Sequence, residues 1–129
     1  MPNVLTQGVP QWAFLASEAN DTRSRTQGVL AAAAGNNLKS GAVLGKITAS
    51  GKYTLLAPTA SDGSQTAAAI LCWNTDASAA DRRTVLIDRD AEVIDTLLIW
   101  PAGITDPQKA AALGQLAALG IKLRQGDPL

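Results

Sequence analysis

This 129-residue chain predicts a mainly β domain of short strands with one or two small helices. Three observations carry that reading. Apolar runs of strand length recur between clusters of Gly, Pro, Ser, Asn and Asp from Thr26 to Ile87. Helix punctuation is clear only once, between Asp106 and Gly120. The core must be made of small residues, because 47% of the chain is hydrophobic while only 4% is aromatic. At this length one domain buries about two-thirds of its unfolded surface without a disulfide or metal.

Residues 1 to about 25 differ in character from the rest of the chain. Gly8 and Pro10 interrupt the first stretch, and the polar run from Ser17 to Arg25 has no period that would bury a face. The expectation is an extended or disordered arm over residues 1–25 and a folded domain over residues 26–129. Val4, Leu5, Trp12, Phe14 and Leu15 give the arm an apolar content that a solvating tail would not need, so they are candidate contacts with a partner. The competing reading is a terminal strand docked on its own domain.

The first strand is expected from Gly28 to Ala34, with a break at Gly35-Asn36-Asn37. Ala42–Ala49 and Tyr53–Ala57, joined through Ser50-Gly51-Lys52, read as a β-hairpin that Pro58 ends by removing a backbone donor. The turn cluster 59–64 leads into Ala67–Trp73, an uninterrupted apolar run that should be a strand buried on both faces. Residues 76–81 are Ala- and Ser-rich and are expected to form a single helical turn, before a second buried strand at Thr84–Ile87. Asp106 is the expected N-cap of the clear helix, with Pro107 at its first position. Ala112, Leu113, Leu116 and Leu119 would form its buried stripe, leaving Gln108, Lys109 and Gln115 toward water. The alternation of Ile121 and Leu123 with Lys122 and Arg124 predicts a closing half-buried strand.

Composition excludes several chemistries. The chain has no histidine, so a Ser-His-Asp triad is impossible and the commonest metal ligand is missing. Its single Cys72 can form neither an internal disulfide nor a multi-cysteine zinc site, and reads as a small buried hydrophobe. Eleven basic residues balance eleven acidic ones, which argues against direct nucleic-acid binding. The balance is uneven along the chain: residues 1–60 carry five basic and two acidic groups, and residues 61–129 six and nine. The first residues, Met1-Pro2-Asn3-Val4, form neither a basic leader nor an apolar segment, and no apolar run is long enough to span a membrane. The expectation is a protein made in a cytosol.

No cofactor, metal or catalytic site is expected. Asp88, Asp90 and Glu92 would share one face of an extended segment and so present a carboxylate row to a hard cation, but Arg89 lies between them and no glycine-rich loop surrounds them. Gly45-Lys46-Ile47 fails the phosphate-loop pattern, since Ser40 stands where the leading glycine belongs and Ile47 where Ser or Thr belongs. Trp73 and Trp100 read as core or subunit contacts, because no basic groove surrounds them in sequence.

Taken in order, these segments resemble the bacteriophage head decoration proteins of the lambda-type protein D family. The resemblance covers roughly residues 23–124 and is carried by Leu38-Lys39-Ser40-Gly41-Ala42-Val43-Leu44-Gly45-Lys46-Ile47-Thr48, by Ala60-Ser61-Asp62-Gly63 leading into Ala67–Leu71, and by Leu98-Ile99-Trp100-Pro101. It implies a β-clip-like fold and a homotrimer on the outer surface of the virion capsid. Such trimers sit at threefold and quasi-threefold sites of the expanded shell and cement neighbouring major capsid protein subunits. The arm of this chain does not align well with the lambda-type one. Its contacts therefore rest on physical argument alone, and deleting residues 2–20 is expected to leave the domain folded while abolishing capsid binding. The alternative is a trimeric β module that binds a small ligand or carbohydrate through Trp73, Trp100 or Tyr53. A further alternative, a metal-dependent enzyme on the acids between Asp88 and Asp95, predicts stabilisation by divalent cations.

Overall fold

The computed structural model describes residues 13–18 and 24–124. Val4, Leu5 and Trp12 lie outside the described residues. The strands are β1 (Leu15–Glu18), β2 (Arg25–Leu30), β3 (Asn37–Leu38), β4 (Val43–Lys46), β5 (Tyr53–Leu55), β6 (Ala67–Leu71), β7 (Thr75–Asp76), β8 (Arg82–Ile87), β9 (Ala91–Ile94) and β10 (Ile121–Arg124). Among the described residues, a 3-10 turn (Asp95–Leu97) follows β9, and an α-helix, α1 (Asp106–Ala118), precedes β10.

Five strands close a barrel in the order β2-β5-β4-β6-β8. The predicted hairpin is its β4–β5 edge, paired antiparallel from Leu44↔Leu55 to Lys46↔Tyr53. Closure comes from β2, which runs antiparallel along all of β8 and touches β5 in parallel at Leu30↔Tyr53. Alternation along the strands then divides the core in two. Leu30, Leu44, Tyr53, Ala69, Leu71 and Leu86 form one cluster drawn from every barrel strand, which places it in the barrel interior. Their chain neighbours Val43, Ile70, Cys72 and Ile87 face outward into a larger cluster. This is why the run from Ala67 to Cys72 carries no polar break: a barrel strand with a covered outer face is apolar on both sides.

The outer cover consists of α1 and a second sheet, β1-β9-β10. From α1, Ala112 and Leu116 are buried, while Leu119, expected in the same stripe, is 39% exposed. The N-cap is Thr105 rather than Asp106. Its extended backbone (φ −90°, ψ 163°) lets the hydroxyl accept from Gln108 N–H while Gln108 Oε1 accepts from Thr105 N–H, a reciprocal cap. Gln115, expected toward water, accepts the Ala67 N–H at 2.8 Å and ties the helix to β6. Gly120 ends the helix with φ +85°, a conformation that disfavours any side chain. The chain then runs into β10, parallel to β9, where Ile121 is buried but Leu123 is 41% exposed.

Two further expectations are corrected. Residues 76–81 form no helical turn. Thr75–Asp76 instead pairs with Asn37–Leu38, and Asp76 Oδ1 accepts from both the amide and the hydroxyl of Ser78. A short polar side chain closing its own turn competes with the helix here. At the amino-terminal end, residues expected within the arm contribute β1, antiparallel to β9 with a register shift between Leu15 and Ser17. Phe14, just before it, is 1% exposed within the larger cluster, and its carbonyl accepts the Ile94 N–H at 2.7 Å.

One close approach sets a sharp constraint. At Gly45 the register between β4 and β6 shifts, and an added Cβ would lie 2.3 Å from the carbonyl oxygen and 2.6 Å from the Cα of buried Ser64. The obstacle is backbone, so no rotamer change relieves it. Gly45→Ala is expected to destabilise the domain by at least about 1–3 kcal/mol, the usual range for overpacking. Thermal denaturation checks this, and an unchanged midpoint would contradict the packing.

Candidate interaction surfaces

The residues singled out in the sequence occupy four different environments. Phe14 is in the core and Leu15 is half-buried against it. Trp100 is half-buried, packed on the larger cluster beyond the bridge between Ala42 and Ile99. Tyr53 is 7% exposed and belongs to the barrel interior, so it offers no open ring to a ligand. Lys46 Nζ stands 5.6 Å from its ring centroid. Burial raises the pKa of its phenol, with the Asp88 charge adding to the effect and Arg89 opposing it. Trp73 differs from these. It lies just past the end of β6, outside the buried run to which the sequence assigned it, and is 45% exposed.

Trp73 forms one wall of an open groove of about 640 Å³. Pairing of β2 with β8 sets Gln27 opposite Val85, and alternation places Arg83 on that same outer face, since Leu86 points into the barrel. From β7 come Thr75 and Asp76, with Asn74 beside Trp73. Several of these side chains are already held. Thr75 Oγ1 bonds to the Trp73 carbonyl at 2.8 Å and to Thr84 Oγ1 at 3.0 Å, and Asn74 Oδ1 accepts the Ser40 N–H at 2.8 Å. The Ser78 hydroxyl and amide hold the Asp76 carboxyl below the usual carboxylate range, with smaller contributions from the charges of Arg82 and Lys39. Sequence reading missed this cluster. Its only visible signal was the pair Arg82-Arg83 ahead of an apolar run, and what makes it a basic groove beside Trp73 is strand pairing.

A second, more apolar depression of about 470 Å³ lies between α1 and the barrel, lined in part by Lys46, Tyr53, Ala67, Gln115 and Leu119. The acids expected in one row do not align. Asp90 takes a left-handed backbone (φ +48°) that turns the chain before β9, while Asp88 bonds to Arg89 Nε at 3.3 Å. Among the described residues, no three His, Cys, Asp or Glu side chains gather as a metal site. Nor is any described helix long and apolar enough to cross a membrane.

None of the curated proteins matches the chain. The family model for bacteriophage lambda head decoration protein D matches residues 4–121 of the 129, spanning β1 to the start of β10 and so both the barrel and its outer cover. The chain therefore belongs to the bacteriophage lambda head decoration protein D family.

Proposed function

We propose that this protein binds as homotrimers at threefold and quasi-threefold sites on the outside of the expanded phage capsid and cements neighbouring major capsid subunits. The observation that carries the reading is family membership across residues 4–121, which implies a structural protein associated with the virion capsid. Synthesis in the host cytoplasm, and action without direct contact to nucleic acid, belong to the same proposal.

The mechanism is clamping. The residues ahead of Phe14 act as the arm, with Val4, Leu5 and Trp12 as its capsid contacts; Phe14 and Leu15, the other two candidates, serve as its root. A buried Phe14 supports that division, because it fixes the chain to the domain at that residue. Trp73 and Trp100 remain the candidates for contacts between copies. A trimer presents three arms at once, so each weak contact gains from effective concentration. Binding then favours the expanded shell by mass action, provided the contact surface is absent from the immature one.

The test is to mix the purified protein with shells of its own phage stripped of it, before and after expansion, and to count bound copies by sedimentation and densitometry. Saturable loading of expanded shells alone, at one trimer per site, is the expected result. Absence of loading on either shell would overturn the proposal.

A further inference from the structure

We propose that one mouth of the barrel binds a small aliphatic monocarboxylate, its carboxylate held by the Lys46 ammonium, the Tyr53 hydroxyl and the Gln115 carboxamide, and its hydrocarbon laid against the end of α1. The site draws on none of the residues assigned to the arm or to contacts between copies.

Strand alternation builds the mouth. Lys46 pairs with Tyr53 at the end of the β4–β5 ladder and keeps the inward parity of Leu44, while Asp88, just past β8, keeps that of Leu86. Beside this end lies α1, tied to β6 by the bond from the Ala67 N–H to Gln115 Oε1. Together they border the depression of about 470 Å³, a volume within the range of small-ligand sites.

Three donors on its lining lack acceptors. The Tyr53 side chain is the sharpest case, since the residue is only 7% exposed and its hydroxyl makes no hydrogen bond among the described residues. No described side-chain oxygen is both sealed from solvent and unpartnered, so the little surface left to Tyr53 includes that oxygen, on the depression the residue lines. Burial raises its pKa, with Asp88 adding to the effect and Arg89 opposing it, and the group is therefore a phenol that donates. The Lys46 ammonium stands 5.6 Å from the ring centroid and has no carboxylate partner among the described residues. Gln115 has its oxygen engaged by the Ala67 amide, which fixes the carboxamide and leaves its NH2 without a partner among those residues.

An ammonium, a phenol and a carboxamide NH2 together suit an acceptor-only, charged group, and a carboxylate is the simplest. Asp88 is the one acid on the lining, and Arg89 Nε, bonded to its Oδ1 at 3.3 Å, offsets its charge. The remaining wall is apolar, with Ala67, Ala68, Ala118 and Leu119. Leu119 keeps the period of the buried stripe of α1 yet is 39% exposed, and a hydrocarbon chain laid there would cover it.

The experiment titrates the full chain with sodium hexanoate and follows the backbone amide signals by NMR. Acetate, which lacks the chain, and 1-hexanol, which lacks the charge, are the comparisons. Saturable shifts are expected at residues 46, 53, 66–68, 88, 115 and 118–119. A ligand of this size should bind with a Kd on the order of 1 mM, and both comparisons at least about tenfold more weakly. Lys46→Gln and Tyr53→Phe should each weaken hexanoate binding at least about fivefold, while Asp88→Asn, which removes a like charge, tightens it. Tyr53→Phe should melt within about 2 °C of the wild type, because its hydroxyl has no internal bond to lose. Shifts that do not saturate by about 20 mM, equal binding of hexanol, or unchanged affinity in Lys46→Gln or Tyr53→Phe overturn the proposal. Weaker binding in Asp88→Asn would show that the mouth reads a cation, and a large fall in the melting temperature of Tyr53→Phe would show that the hydroxyl is already partnered. Lost loading on expanded shells in any of the three variants would make the mouth a capsid contact. Each of these results overturns the proposal too. Shell loading is read separately from hexanoate binding, so failure of one reading leaves the other measurable.

Discussion

Removing residues 2–12 is expected to leave a folded domain that no longer loads expanded shells, whereas removing residues 2–20 should damage the fold as well. The difference lies in what each deletion takes. The shorter one removes Val4, Leu5 and Trp12 and stops before Phe14. The longer one also strips Phe14 from the core and β1 from the edge of β9, exposing Ala91 and Val93, which are 5% and 1% exposed in the intact domain. The sequence treated all of residues 2–20 as dispensable for folding, and the burial of Phe14 revises that boundary. Circular dichroism and a melting curve read the fold, and cosedimentation with expanded shells reads the function. Stoichiometric loading by the shorter deletion would overturn the arm proposal. A longer deletion as stable as the full chain would contradict the docking of β1.

Phe14→Ala isolates the root. This is the chain's single phenylalanine, and its side chain is enclosed by an aliphatic cluster drawn from the barrel's outer face, α1 and the second sheet. Truncating a fully buried Phe removes its transfer free energy and leaves a cavity, together about 3–5 kcal/mol. For a domain of this size the melting temperature should fall by roughly 10–20 °C. In urea the midpoint should drop with little change in slope, because the surface exposed on unfolding is nearly the same. A loss below about 1 kcal/mol would show that the ring is not in the core. Shell loading measured well below the variant's melting temperature separates two roles. Loading close to wild type is expected if Phe14 only roots the arm, and complete loss in a folded variant would make it a capsid contact itself.

Much of the fold was legible in local pattern. The hairpin β4–β5 followed from two short apolar runs around Ser50-Gly51-Lys52, and the strand at Ala67 from an apolar run too short for a helix. The helix came from its amphipathic stripe, its proline and Gly120. Misreadings cluster where two local solutions compete. Thr105 and Asp106 are both good caps, and only the reach of Gln108 back to the Thr105 amide selects the first. Asp76-Ala77-Ser78 has helix-forming alanines nearby, but the aspartate closes a side-chain turn and the backbone before it pairs with β3.

The candidate surfaces were less legible. Trp73 ends an apolar run, and nothing within that run shows that the indole lies outside β6 beside two arginines. The same holds for Leu119 and Leu123, which keep the period of buried residues and are nonetheless exposed. Periodicity says which positions share a face, not whether another layer covers that face.

By itself, then, the sequence determined the β-rich class, the hairpin, the single clear helix and the absence of histidine chemistry, because each depends on residues close together in the chain or on composition alone. The tertiary structure decided the closure of β2 on β8, the parallel docking of β10 on β9, the burial of Phe14 and the exposure of Trp73. These depend on partners far apart in sequence. Which strand meets which is settled by how the whole set of apolar faces can be covered at once.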